Sequence, residues 1–159
     1  MCWTLQLATR IKPTSKPLYE EDFYAWSTAQ ADLLRAGRFS DLDLEHLIEE
    51  VDDLGEALYR SACSRVRTII EHLLKLQFSP AADPRPGWIE TLYTQRGDLE
   101  GELTPSLRPR VEETLPRLSA QARRNTARAL QAYGERAAAD ALPATCPYTL
   151  EQITGDWLP

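Results

Sequence analysis

Apolar residues recur through the middle of the chain at steps of three and four, the spacing of an amphipathic helix. The series comprises Leu44, Leu47, Ile48, Val51, Leu54, Leu58, Ala62, Val66, Ile69, Leu73 and Leu76. Because the phase is kept across Gly55, the pattern favours one long helix that ends near Phe78. Two helices that meet at Gly55 are the alternative. Asp41 or Asp43 can cap the start of this helix.

A shorter helix is predicted ahead of the long one, over residues 19–36. Its aromatic residues and leucines share one face, and acidic residues occupy its first turn, where the helix dipole favours them. Gly37 follows at the place of a C-terminal cap. Residues 1–17 contain two prolines and form a lead-in that we predict to be flexible.

Two further helices are predicted in the second half of the chain. One fits residues 86–103, with Pro86 in its first turn. The other begins at Thr104–Pro105, is kinked or interrupted at Pro116, and resumes to about Ala139. No stretch with the alternation of a strand competes with these helices. We therefore predict an all-α protein, an antiparallel helical bundle of about four main helices, one of them long. Residues 18–159 are predicted to form a single helical domain.

The charge of the chain is negative overall and unevenly distributed. A formal charge of −6 argues against a general nucleic-acid binder, because binding to phosphates needs a basic surface. Acidic residues dominate from residue 20 to residue 56, whereas Arg123, Arg124 and Arg128 form a small basic patch later in the chain. This patch can contact a polyanion or the acidic helix of another copy, but ordinary surface charge is the favoured interpretation.

The cysteines and the hydropathy indicate a cytoplasmic protein without a membrane span. The three cysteines, Cys2, Cys63 and Cys146, are scattered and form no C-x-x-C pair, as expected of reduced thiols. No apolar run approaches the ~20 residues that a transmembrane helix needs. The first residues lack the apolar core of a signal peptide.

The two histidines are the weak candidates for a metal site. His46 lies three and four positions before Glu49 and Glu50, so that these side chains can share a helix face. His72, however, lies roughly 39 Å further along a continuous helix, at 1.5 Å per residue. One ion cannot bind both histidines of a straight helix, and the acidic residues alternate with apolar ones as on a solvated face. We therefore predict no metal and no cofactor.

Short motifs follow one another in order over residues 18–159, and each is weak alone. They comprise Tyr19, Asp22–Phe23–Tyr24 and Trp26; Leu33–Leu34–Arg35 and Gly37; Leu42–Asp43 and Leu47–Ile48–Glu49–Glu50; His72–Leu73–Leu74–Lys75; Trp88; Gln95–Arg96; Pro105–Ser106–Leu107; Cys146–Pro147–Tyr148; and Trp157–Leu158–Pro159. Their ordered combination resembles the domain of unknown function 29 family of bacteria. The resemblance implies a helical domain without an assigned activity, so it carries over no catalytic residues.

Three hypotheses for the function follow from these observations. The favoured one is a non-enzymatic helical interaction domain that forms a homo-oligomer or binds a small protein partner. The first alternative is a metal-binding helical bundle enzyme. The second is a nucleic-acid or toxin–antitoxin accessory protein. The chain contains no G-x-S-x-G, P-loop or dinucleotide-binding motif, so its catalytic residues, if any, are unknown.

Overall fold

The computed structural model describes residues 15–159, with side chains described from residue 18 onward. The described chain is helical and contains no strand, in the order α1 (Ser15–Glu21), α2 (Phe23–Arg35), a 3-10 turn (Phe39–Asp41), α3 (Leu44–Phe78), α4 (Arg85–Glu102), α5 (Arg108–Ala132), α6 (Arg136–Asp140) and α7 (Leu150–Thr154). The predicted all-α class with four longer helices is thus confirmed. The predicted flexibility of the lead-in concerns residues that lie almost wholly outside the described range.

The chain divides into two compact units. The first comprises Met1–Asp53, described from residue 15, and the second comprises Leu54–Pro159. Helix α3 contributes its first turns to the first unit and the rest of its length to the second. The single domain over residues 18–159 stays a prediction.

The first unit contains two short helices where the sequence predicted one. Asp22 separates them, because its backbone leaves the helical conformation and its side chain accepts a hydrogen bond from the Ala25 N–H at 2.9 Å. Such a capping aspartate starts a new helix by meeting a backbone donor that lacks a helical partner. At the other end Gly37 has a φ of 67°, which confirms the predicted C-terminal cap.

Helix α3 runs without a break from Leu44 to Phe78 over 35 residues. The prediction of one long helix is therefore confirmed, and the alternative of two helices that meet at Gly55 is wrong. At 1.5 Å per residue the helix is about 52 Å long.

The hydrophobic core lies in the second unit and is built on the C-terminal half of α3. Its members from α3, α4 and α5 include Ala62, Val66, Ile69, Ile70, Leu73, Leu92, Leu99, Val111, Leu118, Ala122 and Leu130. Pro116 stands inside α5 without interrupting it. The helix ends instead before Gly134, whose φ of 83° is left-handed, so the predicted continuation to Ala139 was wrong.

The C-terminal segment is fixed to α4 by a buried arginine. Arg96 donates from Nε to the Ile153 carbonyl at 3.0 Å, and from Nη2 to the carbonyls of Gln152 at 2.9 Å and Trp157 at 2.8 Å. Thr149 begins α7 with a capping box that Gln152 completes. Arg96 thus binds two carbonyl groups that α7 leaves without helical donors, and a third, that of Trp157, after the end of the helix.

Candidate functional site: the exposed face of the long helix

His46, the first candidate for a metal ligand, is part of an aromatic cluster in the first unit. Its side chain is buried, and its Nδ1 lies 2.8 Å from Asp43 Oδ2. Its ring stacks on Tyr19 with a centroid distance of 3.9 Å. The same Asp43 oxygen accepts a hydrogen bond from Trp26 Nε1 at 3.2 Å, and the Asp43 N–H donates to Gln30 at 2.9 Å. These contacts give His46 a packing role between α1, α2 and α3.

The two glutamates predicted beside His46 do not complete a metal site with it. Glu49 is exposed, and Glu50 accepts a hydrogen bond from the Tyr19 hydroxyl at 2.6 Å. This hydrogen bond raises the pKa of Tyr19 to about 12, so that the phenol stays a donor at ordinary pH. Over residues 15–159 no group of three or more His, Cys, Asp or Glu side chains is arranged to hold a metal ion.

His72, the other candidate, lies in the second unit and bonds to its own helix. Its Nδ1 donates to the Thr68 carbonyl at 2.9 Å. Burial lowers the pKa of His72 below its usual 6.5, with the Lys75 charge adding to the effect and the Thr68 carbonyl and Glu71 opposing it. A neutral imidazole held in this way is part of the packing.

The lowered pKa predicts that the protein loses stability in mild acid. The unfolded chain binds a proton at His72 more readily than the folded one, so the free energy of unfolding falls as the pH drops below about 6.5. In urea unfolding at pH 7.5 and 5.5, we expect His72→Gln to lose less stability than the unaltered chain. Carboxylates titrate in both proteins and cancel in this comparison. Equal losses would contradict the prediction.

The three arginines of the predicted basic patch lie on α5 and differ in their surroundings. Arg123 is half-buried, and its Nε donates to the Leu142 carbonyl at 3.4 Å, whereas Arg124 and Arg128 are exposed. Arg123 therefore contributes to holding the segment after α6. Contact of this patch with a polyanion or a partner stays a prediction.

A feature that the sequence did not reveal is an exposed apolar face on the N-terminal half of α3. This face, called the exposed α3 face below, consists of Leu44, Ile48, Val51, Leu54 and Leu58, each more than half exposed, with Val51 reaching 68%. The steps of three and four between them place all five on one side of the helix. Further along the same side, Ala62, Val66 and Ile69 are fully buried in the core of the second unit. The apolar series is thus covered in its second half only.

The contacts of the first unit explain why this face remains open. Helices α1 and α2 pack against the side of α3 that carries His46 and Glu50, away from the exposed α3 face. Among residues 18–53 only Trp26, Gln30 and His46 are buried. Among the described residues of this unit, Trp26 is the one apolar side chain that is buried.

None of the described helices is both long and apolar enough to cross a membrane.

Comparison with known proteins places the chain in a family. No curated protein and no solved structure gives a significant match. The model of one family matches residues 18–158, nearly the whole length. The chain therefore belongs to the family described as Domain of unknown function DUF29.

Proposed function

We propose that this protein is a non-enzymatic helical interaction domain whose exposed α3 face binds a basic amphipathic helix of another protein. The observation that carries the proposal is the row of five exposed apolar side chains on a single helix. Contiguous apolar surface of this kind marks sites of protein association. An apolar face along a helix is complementary to the apolar stripe of a second helix, whose anchors recur at the same spacing.

The charge of the surrounding surface favours a basic partner. Between residues 44 and 58 the chain carries the acidic residues Glu45, Glu49, Glu50, Asp52, Asp53 and Glu56 and no lysine or arginine. Glu49, Asp52 and Asp53 are exposed, and Asp52 lies directly beside the apolar face. Lysines and arginines that border the stripe of a partner helix would meet these carboxylates, which speeds association and sets the orientation.

The same charges disfavour a second copy of this chain as the occupant. Two α3 helices paired through this face would bring together two acidic segments that contain no lysine or arginine, and of their carboxylates Glu56 pairs with Arg110. Like charges placed opposite each other across an interface are unfavourable. A partner with apolar and basic residues avoids this repulsion.

The alternative functions have less support in the contacts of their residues. A metal-binding enzyme would need His46 and Glu50, but these residues are engaged with Asp43 and Tyr19. An accessory role on nucleic acid would rely on Arg123, which bonds to the Leu142 carbonyl. We also propose that the protein is located in the bacterial cytoplasm, because scattered cysteines stay reduced there.

The proposal is tested with two labelled helical peptides of 15 residues, one made of leucine and lysine and the other of leucine and glutamate in the same pattern. Fluorescence anisotropy measures their binding to the full chain at 0.15 M salt. We expect the leucine–lysine peptide to bind and the leucine–glutamate peptide not to bind. The double variant Ile48→Asp, Val51→Asp should weaken binding at least tenfold, since it places charge within the apolar contact.

A matched control separates this face from general attraction to an acidic protein. Tyr133→Asp adds negative charge at a side chain that is 81% exposed in the second unit, and it should leave the affinity unchanged. Equal binding of the two peptides, or binding that survives the double variant, would overturn the proposal. A dimer of the unaltered chain in sedimentation analysis that Val51→Asp dissolves would assign the face to a second copy instead.

A further inference from the structure

A groove lined by three arginines lies between α3 and α5 in the second unit. Its volume is about 220 Å³, and Arg60, Arg67, Arg117, Ser64 and Gln121 supply its polar lining. None of the described residues that line it is acidic. Arg60 and Arg67 come from α3 and Arg117 from α5, so the packing of the two helices brings the three cations to one place.

The guanidinium groups of this groove are less neutralised than others on the same helices. Arg65 bonds to Asp98 at 2.7 Å and to Glu102 at 3.0 Å, and Arg110 bonds to Glu56 at 2.6 Å. In the groove, by contrast, the nearest carboxylate of Arg67 is 3.8 Å away, at Glu71.

The other two cations of the groove are available to a ligand. Among the described residues neither Arg60 nor Arg117 forms an ion pair within 4.0 Å, and both side chains are exposed. The nearest influence is on Glu56, whose pKa is lowered by its hydrogen bond to Arg110 and, to a smaller extent, by the charge of Arg60. Arg67 Nη2 lies 3.1 Å from Ser64 Oγ, which holds its guanidinium at the groove. One partly fixed cation and two exposed ones therefore surround the same small volume.

We propose that this groove binds a phosphoryl group. Guanidinium groups match phosphate oxygens with paired N–H donors, and several cations around one small volume favour an anion with more than one charge over a single carboxylate. Ser64 and Gln121 add neutral hydrogen-bonding groups. The volume suits one or two phosphate groups with little besides. None of these residues belongs to the exposed α3 face, so this inference stands or fails separately from the proposed function.

The net charge of the protein makes the inference easy to test. A chain with a formal charge of −6 attracts anions poorly, so anion binding at one equivalent per chain points to a local site. Isothermal titration calorimetry of the full chain with pyrophosphate at low salt should show saturable binding of one equivalent. Inorganic phosphate should bind more weakly, and acetate at equal ionic strength should give no saturable heat.

Arginine-to-glutamine variants locate the site. Arg117→Gln should weaken pyrophosphate binding at least fivefold, and the double variant Arg60→Gln, Arg117→Gln should abolish it. Arg124→Gln removes the same charge from an exposed position of the same helix outside the groove and should change the affinity less than twofold. These side chains are exposed, so folding is retained, which circular dichroism checks.

Two results would overturn the inference. One is the absence of saturable pyrophosphate binding, and the other is equal weakening by Arg124→Gln and Arg117→Gln, which would show diffuse attraction. When binding is found, O-phosphoserine and a nine-residue phosphoserine peptide separate the two sources of a phosphoryl group. Equal affinities assign the groove to a free phosphate ester, and tighter binding of the peptide assigns it to a phosphorylated protein.

Discussion

Replacing Trp26 with alanine is expected to release α1 and α2 from α3 while the second unit stays folded. Trp26 is 2% exposed and is the largest of the three buried side chains described in the first unit. Removal of a buried tryptophan costs about 3–5 kcal/mol, which such a small packed region cannot offset. Hydrogen exchange should show lost protection over residues 19–35 and unchanged protection over residues 62–76.

The contacts of Trp26 show why its loss acts beyond its own volume. Its ring packs edge-on against Tyr19, with centroids 4.9 Å apart, and lies edge-on to His46 at 6.4 Å. Its Nε1 donates to Asp43, which also contacts His46. One side chain therefore joins α1, α2 and the start of α3.

Two matched variants sharpen this experiment. Tyr24→Ala lies on the same helix at a side chain that is 81% exposed, and it should leave hydrogen exchange nearly unchanged. Trp26→Phe keeps most of the ring packing and removes the hydrogen bond to Asp43, so it should cost about 1 kcal/mol. Unaltered protection of residues 19–35 in Trp26→Ala would contradict the packing described for the first unit. Lost protection over residues 62–76 would show that the units do not unfold separately.

Replacing Arg96 with methionine is expected to lower the free energy of unfolding by about 3 kcal/mol. The variant removes three hydrogen bonds from a charged donor to the carbonyls of Gln152, Ile153 and Trp157. Such bonds contribute more than neutral ones, and buried carbonyls left without a donor add their own cost. Methionine fills much of the volume, so a cavity accounts for little of the loss. Urea unfolding measures the change.

Local and global effects of Arg96→Met are separated by limited proteolysis. Because Arg96 binds the segment from Gln152 to Trp157, cleavage within that segment should become faster than cleavage elsewhere in the second unit. Arg124→Met removes an exposed arginine of α5 and should change the free energy of unfolding by less than about 0.5 kcal/mol. A loss in Arg96→Met no larger than in this control would show that the three hydrogen bonds contribute nothing net. Burial lowers the pKa of Arg96, a cost that these bonds must exceed.

Helix α3 agrees most closely with what the sequence predicted. Periodicity predicted the helix, its continuity across Gly55 and its end at Phe78, because the side chains of one face repeat at a fixed angle along any α-helix. A single residue type was equally informative where it determines the local backbone conformation. Gly37 adopts the left-handed conformation of the predicted C-terminal cap. Asp22 was predicted within the first turn of a single helix, but it divides that helix in two by capping the start of α2.

The candidate sites were less predictable, because their members lie far apart in the sequence. The prediction that His46 and Glu50 share one face of the helix was correct. Their hydrogen-bond partners, however, are Asp43 and Tyr19, and the sequence did not indicate these contacts. The arginine groove joins residues of α3 to Arg117 of α5, and no pattern along the chain indicates that they meet.

The sequence by itself determined that this protein is helical, where its long helix runs and which side chains share its apolar face. Only the tertiary structure decided that Val66 and Ile69 on that face are buried while Ile48 and Val51 remain exposed. The physical reason is that periodicity is a property of one helix, whereas burial depends on whether another segment packs against it. Helices α4 and α5 supply that cover in the second unit, and in the first unit α1 and α2 pack on the opposite side of α3.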